Sequence, residues 1–205
     1  MAKLNAFNKN TATKLQLDAG ILVKNQTVGS PISEEGKLGA TSGGATFSAV
    51  PTYRNLFEDI DGARGEYKDG MVIDSWEITL TATVKEMTVN NLQLALANTE
   101  KAVGAGSYSE SHQKLTPRLN VKSSDYLKNI CWIGTLNDSS DSPIVIELKN
   151  VMNRNGFNLT TTDKGTGGIE LELKAHFDLS KPDEVPFEIH VPNDPPSPEV
   201  ANIIE

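Results

Sequence analysis

Three histidines and one cysteine are the residues of this sequence most suited to metal or nucleophilic chemistry. None of His112, His176 and His190 lies two or four residues from another, and none is near Cys131. Two of the histidines, His176 and His190, fall on polar faces of predicted strands, where we expect a solvated imidazole. Cys131 lies in an apolar run, which predicts a buried and unreactive thiol. We therefore expect no metal site and no reactive cysteine.

An acidic loop comes closest to a calcium-binding pattern. Asp59-Ile60-Asp61-Gly62 resembles the start of an EF-hand loop. With Gly62 as the sixth position, the first and twelfth positions are Phe57 and Lys68, where carboxylates are required. A tight turn that begins with Asp and ends near Gly explains the same residues. We predict no bound cation.

Two glutamates on one strand face, Glu170 and Glu172, could in principle act as a general acid and base. No neighbouring residue predicts a cleft or a raised pKa, so a solvated acidic face accounts for them. Residues 165–168 lack the lysine and the following helix of a phosphate-binding loop, and no Gly-x-Ser-x-Gly motif occurs. We expect a protein that is not an enzyme and needs no cofactor. A hydrolase that uses Glu170, Glu172 and His176 remains the catalytic alternative.

The composition restricts the possible partners of the chain. Its 205 residues carry a formal net charge of −8, and a single cysteine permits no intrachain disulfide. Tight binding to nucleic acid comes largely from Lys and Arg, so an acidic surface disfavours it. An acidic wall would instead repel phosphate that passes nearby and keep it mobile. The N-terminal residues lack an apolar signal-peptide core, and no apolar run reaches membrane-spanning length, so we expect no membrane contact.

Alternation of apolar and polar residues predicts eight or nine strands. These strands cover residues 15–24, 45–53, 71–87, 113–122, 126–136, 144–151, 157–162, 169–179 and 185–191. One helix is predicted over 88–99, with Thr88 as its N-cap and an apolar stripe of Val89, Leu92 and Leu96. We predict a mainly β fold: an antiparallel β-sandwich or partly closed barrel with one flanking α-helix and a long inter-strand arm. It forms one domain over 1–191, followed by a C-terminal extension over 192–205.

The arm is the most unusual stretch of the sequence. Residues 55–70 contain three glycines and seven charged residues between two predicted strands. Hairpin loops usually take about two to five residues, and loops this long are commonly functional. We predict that an arm over 53–70 contacts a neighbouring subunit. The residues expected to make this contact are Asn55, Phe57, Glu58, Asp59, Asp61, Arg64, Glu66 and Lys68.

Several short stretches carry a resemblance to a known family. They are Gly39-Ala40-Thr41-Ser42-Gly43-Gly44-Ala45-Thr46-Phe47, Asp61-Gly62 with Lys68-Asp69-Gly70, a Thr-rich strand ending in Lys85-Glu86-Met87-Thr88, Ala175-His176-Phe177-Asp178 and Pro186-Phe187-Glu188-Ile189. In this order they resemble the tail tube proteins, or major tail proteins, of long-tailed bacteriophages. The resemblance covers most of the chain, and its motifs are turns and alternating strands rather than catalytic residues.

The resemblance implies a structural protein of the virion tail that is made in the host cytoplasm. In that family, six β-sandwich subunits form a ring, and stacked rings form a tube that conducts DNA without binding it specifically. A tape measure protein and tail terminator or baseplate proteins are the implied partners. On this basis we expect an acidic lumen, with Glu77, Glu170, Glu172 and Asp178 as the candidate lining residues. Contractile tails and related injection machines share the fold and remain alternatives.

A binding module of the virion surface is the alternative of a different class. A carbohydrate-binding sandwich would need a platform of exposed aromatic side chains. Trp76 and Trp132 are the only tryptophans, and both lie in apolar strand patterns that predict burial.

Overall fold

The protein is mainly β, with antiparallel strands and one α-helix. The computed structural model describes residue 7 and residues 11–109, 111–137, 142–161 and 163–193. The strands within these ranges are β1 (Ile21–Lys24), β2 (Thr41–Asn55), β3 (Met71–Val84), β4 (Thr99–Val103), β5 (Gln113–Pro117), β6 (Leu127–Gly134), β7 (Ile144–Asn153), β8 (Leu159–Thr160), β9 (Gly168–Lys174) and β10 (Phe187–His190). The helix α1 spans Val89–Leu96. Most of the predicted extension, 194–205, lies outside the described residues.

The main sheet has the strand order β1-β6-β7-β9-β3-β2, and every neighbouring pair is antiparallel. Strand β10 pairs with β7, β8 pairs with β9, and β4 and β5 form a separate two-stranded sheet. Most of β7 pairs with β6, but its last two residues, Met152 and Asn153, pair with β9. The path starts at β1 and ends at β2 without returning, so the described strands form no closed barrel.

The core follows the predicted alternation. One face of β3 and one face of β9 are buried, together with residues of β6 and β7. The fully buried members of this cluster include Ile78, Leu80, Val84, Ile130, Leu148, Ile169 and Leu173. Burying each such side chain stabilises the fold by about 1.5–3 kcal/mol. The opposite face of β6 carries a second, smaller cluster that contains Cys131, which confirms the prediction of a central strand that is apolar on both faces.

The predicted helix is present but shorter. The Thr88 hydroxyl accepts a hydrogen bond from the Asn91 N–H (3.2 Å), as an N-cap should. The helix ends at Leu96 because Ala97 has a φ of 59°, and β4 begins at Thr99. Strand β4 was not predicted, because its exposed and charged residues carry no apolar alternation.

Other predicted strands begin or end elsewhere. The first strand covers only Ile21–Lys24, because Gly20 has a φ of 68° and lies against the Trp132 ring. Strand β2 begins earlier than predicted, since Gly43 and Gly44 lie inside it with φ of 79° and 76° at a shift in register. Both glycines form a β-bulge there, a conformation that glycine adopts readily.

The strand predicted over 169–179 ends at Lys174. Ala175 is still buried, but the Leu179 side chain is fully exposed. A turn ends the alternation, because the Asp178 carboxylate accepts hydrogen bonds from the Ser180 N–H (2.8 Å) and hydroxyl (2.7 Å). Among the described residues, no helix has the length and apolar character needed to cross a membrane.

Candidate functional site

The longest feature of the fold is the hairpin of β2 and β3. The two strands pair from Thr41 opposite Val84 to Asn55 opposite Met71. Strand β9 pairs with β3 only over Thr79–Val84. The hairpin therefore continues beyond the sheet as a two-stranded ribbon, which we define as residues 50–55 and 71–77.

The ribbon is exposed and partly apolar. The exposed fractions of Val50, Tyr53, Val72 and Ile73 are 56%, 57%, 37% and 44%. A two-stranded ribbon alone is marginally stable in water, and contiguous exposed apolar residues are typical of interaction surfaces. The ribbon thus presents a surface that a partner could cover.

A second bulge bends the ribbon. Thr52 pairs with Ser75 and Tyr53 pairs with Ile73, which leaves Asp74 as the additional residue of β3. The Arg54 guanidinium forms a salt bridge with the Asp74 carboxylate (3.0 Å), and this contact raises the pKa of Arg54. The pair is exposed, so it orients the ribbon more than it stabilises the fold.

The residues between the two strands form a compact tip. We define the tip as residues 56–70, and its ends are joined by the Leu56 N–H, which donates to the Gly70 carbonyl (2.8 Å). The Phe57 and Tyr67 rings pack edge to face, with their centroids 5.6 Å apart. The tip is therefore packed by its own side chains, as Ω-loops are. No residue of the tip belongs to the hydrophobic core.

The structure divides the predicted arm residues into two groups. Asn55 is the last residue of β2, and its side chain accepts from the Phe57 N–H (3.0 Å), so Asn55 and Phe57 shape the tip. The side chains that remain exposed are Glu58, Asp59, Asp61, Arg64, Glu66 and Lys68. The predicted arm over 53–70 thus consists of three paired residues, 53–55, followed by the tip.

Strand β2 ends the sheet and has no strand beside its outer edge in the described part of the chain. It contains 15 residues, which is long for an edge strand. An unpaired edge presents backbone N–H and C=O groups that can pair with another chain. The fold therefore contains both an open edge and an exposed ribbon on the same strand.

A hydrophilic face covers the side of β3 and β9 that is turned away from the core. Thr83 pairs with Glu170, and Thr81 pairs with Glu172. Glu77 lies farther along the same face of β3, where the Lys174 ammonium donates to its carboxylate (2.9 Å) and lowers its pKa. Three of the four predicted lumen residues therefore share one sheet face.

Asp178, the fourth of these residues, does not share that face. It lies in the turn after β9, and its hydrogen bonds with Ser180 lower the pKa of the carboxyl. The prediction that placed Asp178 on one strand face with Glu170 and Glu172 is wrong, because β9 ends at Lys174.

The hydrolase alternative gains no support from the position of His176. Its Nδ1 lies 3.1 Å from the Asn150 carbonyl, and its ring packs edge to face on Tyr126, with centroids 5.1 Å apart. Burial lowers the pKa of this imidazole. Within the described chain, no hydrogen bond or ion pair joins His176 to Glu170 or Glu172.

Both tryptophans are partly buried, which disfavours a flat aromatic binding platform. Trp76 packs against the Phe187 ring, with centroids 5.7 Å apart. The Trp132 indole N–H donates to the Ala19 carbonyl (2.9 Å). Both rings therefore contribute to packing within this chain.

Cross-strand register creates one group of titratable residues that the sequence analysis missed. Glu147 of β7 lies opposite Glu188 of β10, and His190 follows two residues later. Their ligand atoms lie within 4.8 Å of one another, close enough for a metal ion. However, the Asn129 amide donates to Glu147, and the Lys149 ammonium pairs with Glu188. Both carboxylates thus already have partners within the chain. The sequence alone could not reveal this group, because the pairing of β7 with β10 brings its members together.

The Cys131 thiol is buried, as predicted. Burial and the nearby Glu147 charge raise its pKa to about 12, so the thiolate is scarcely formed at neutral pH.

No model of a known protein family matches the chain. A search of curated proteins likewise returned no significant match.

Proposed function

We propose that this chain is the structural subunit of a bacteriophage tail tube, in which six copies form a ring and stacked rings form a channel for DNA. The observation that carries the proposal is the open edge of β2, which continues into a largely exposed ribbon. Within the described chain, Phe187 contacts this ribbon at Trp76, and Lys174 contacts it at Glu77. Copies that pair edge to edge around a ring would satisfy this edge. The described strands and their shared core are compatible with the β-sandwich of that family.

The hydrophilic face of β3 and β9 supports a wall that faces an aqueous channel. The threonines of this face alternate with buried residues of the core, so one sheet can separate water from the apolar interior. Glu77, Glu170 and Glu172 would repel the phosphates of passing DNA. The tape measure protein and the terminator or baseplate proteins would be the other partners of such a tube, in the virion tail.

Assembly of the purified protein tests the proposal directly. We expect rings or tubes by negative-stain electron microscopy at high concentration. Val50→Lys places a charge on the exposed ribbon, and we expect it to block assembly while the subunit stays folded. Leu179→Lys is the matched control, because Leu179 is fully exposed on a turn outside the hairpin. A wild-type protein that stays monomeric, even with tail assembly partners, would refute the proposal.

The role of the acidic face has its own test. The triple variant Glu77→Lys, Glu170→Lys and Glu172→Lys should make assembled tubes retain double-stranded DNA, because each added lysine can neutralise a phosphate. The measurement is DNA retention by tubes at low and high salt. A control variant with the same change in charge, Glu34→Lys, Glu35→Lys and Asp183→Lys, lies outside this face. If the triple variant does not retain DNA in a salt-dependent manner, this face does not line the channel.

A further inference from the structure

The tip and the helix α1 lie at opposite ends of the same strand. Strand β3 begins directly after the tip at Met71 and ends at Val84, and α1 begins at Val89. At about 3.3 Å per residue, a strand of 14 residues spans about 45 Å. Each subunit therefore has two distinct ends along its hairpin.

The tip end is acidic. Residues 56–70 contain five carboxylates and only two cationic side chains, Arg64 and Lys68. In the described part of the chain, none of these carboxylates takes part in an ion pair. Leu56 and Ile60 add exposed apolar surface beside them. The tip thus offers uncompensated negative charge around an apolar centre.

The opposite end contains a basic cleft. We define this cleft as the space of about 390 Å³ between α1, the end of β1 and residues 118–127. Lys24, Arg118 and Lys122 contribute positive charge to it, and Glu100 and Asp125 contribute two negative charges, which leaves one positive charge in excess. Arg118 is already paired with Asp125, and Lys122 lies 3.7 Å from Glu100.

Lys24 differs from the other two cations of this cleft, both of which take part in ion pairs. Within the described residues its ammonium has no hydrogen bond and no ion-pair partner. Burial and the nearby charge of Lys101 lower its pKa, which shows that its environment disfavours the charged form. The attraction of an incoming carboxylate would offset both effects and favour the charged form.

We propose that the acidic tip of one copy binds the basic cleft beside α1 of a second copy. The inference rests on the proposed function only in that the chain assembles with itself. Because tip and cleft are different surfaces at opposite ends, the contact is heterologous and repeats from copy to copy. It therefore joins subunits end to end along the hairpin axis, and the edge of β2 remains free for contacts within a ring.

Charge reversal at each surface tests the contact. The tip variant is Asp59→Lys with Asp61→Lys. The cleft variant is Lys122→Glu, which changes the cleft lining, with Lys101→Glu, which changes the charge nearest Lys24. All four side chains are exposed, so we expect each variant to unfold at the wild-type temperature. Sedimentation velocity should show end-to-end association roughly tenfold weaker or more in each variant, because attraction becomes repulsion.

The two variants together provide the decisive measurement. A basic tip should bind an acidic cleft, so an equimolar mixture of the two variants should associate again, in alternating order. A single chain that carries all four substitutions should also associate with itself. If the cleft variant associates as the wild type does, or if neither combination restores association, the tip does not bind the cleft.

Two further comparisons separate this inference from the proposed function. Lys37→Glu with Lys181→Glu makes the same change in charge outside the cleft, and we expect it to associate normally. If the wild type forms filaments without closed rings and the cleft variant forms none, the tip–cleft contact is supported and the proposed ring is refuted. Tubes formed equally by the wild type and the cleft variant would support the ring and refute the contact. A wild-type chain that shows no self-association at low salt refutes both.

Discussion

Replacement of the tip by a two-residue turn should leave the subunit folded and abolish its assembly. Asn55 and Met71 are paired, so an Asn-Gly turn in place of residues 56–70 closes the hairpin with the geometry that two-residue loops favour. The variant removes 15 residues, none of which belongs to the core.

The effect on stability can be estimated from two opposing contributions. Shortening the loop from 15 to 2 residues lowers the closure entropy cost, and (3/2)RT ln(15/2) gives about 2 kcal/mol of stabilisation. The Phe57–Tyr67 contact is lost, and an aromatic pair contributes about 0.5–1.5 kcal/mol. We therefore expect the free energy of unfolding to change by less than about 2 kcal/mol. A core truncation such as Leu80→Ala should instead cost about 2–5 kcal/mol.

Urea denaturation of the isolated subunit, followed by electron microscopy at high concentration, measures both effects. A flexible Gly/Ser linker of 15 residues in place of the tip is the control, because it preserves loop length and removes the side chains. Destabilisation similar to that of Leu80→Ala would show that the tip belongs to the fold of its own subunit. Normal tubes without a tip would show that it makes no contact needed for assembly.

Three further predictions concern dynamics, local packing and ionisation. Amides of residues 55–68 should exchange with deuterium more slowly in the assembled state than in the free subunit, and equal protection would refute the arm as an intersubunit contact. Gly39→Ala should destabilise the fold by about 1–3 kcal/mol in urea, because Gly39 has a φ of 85° and an added Cβ would lie 2.2 Å from the Glu86 carboxyl group. Gly62→Ala is its control, since Gly62 has a φ of 86° and a Cβ added there would meet no atom of a non-adjacent residue within 4 Å. An equal loss of stability in both variants would exclude a contribution from the clash. The Cys131 thiol has a pKa of about 12 in the folded chain, so it binds its proton more tightly there than in the unfolded chain. The free energy of unfolding should therefore fall by up to about 1.4 kcal/mol per pH unit above about pH 9. If the free energy of unfolding depends on pH in the same way in the wild type and in Cys131→Ala, this role of the thiol is refuted.

Local patterns determined several features of this protein from the sequence alone. The alternation in β3 and β9 identified the buried face, since side-chain direction in a strand depends only on position along it. Thr88 identified the start of α1, because capping depends on residues within one turn. The length and charge of residues 55–70 identified the loop for the same reason.

The tertiary structure decided which surfaces remain uncovered and which charges meet. Strand β9 covers only one end of β3 and so leaves a ribbon, and this depends on pairing between residues 85 to 95 positions apart. The separation of Asp178 from Glu172, and the position of Lys24 beside Lys101, likewise depend on turns and pairings that no local pattern encodes. Periodicity gives the two faces of a strand, but only the register and its partners determine which face meets water, another strand or another copy.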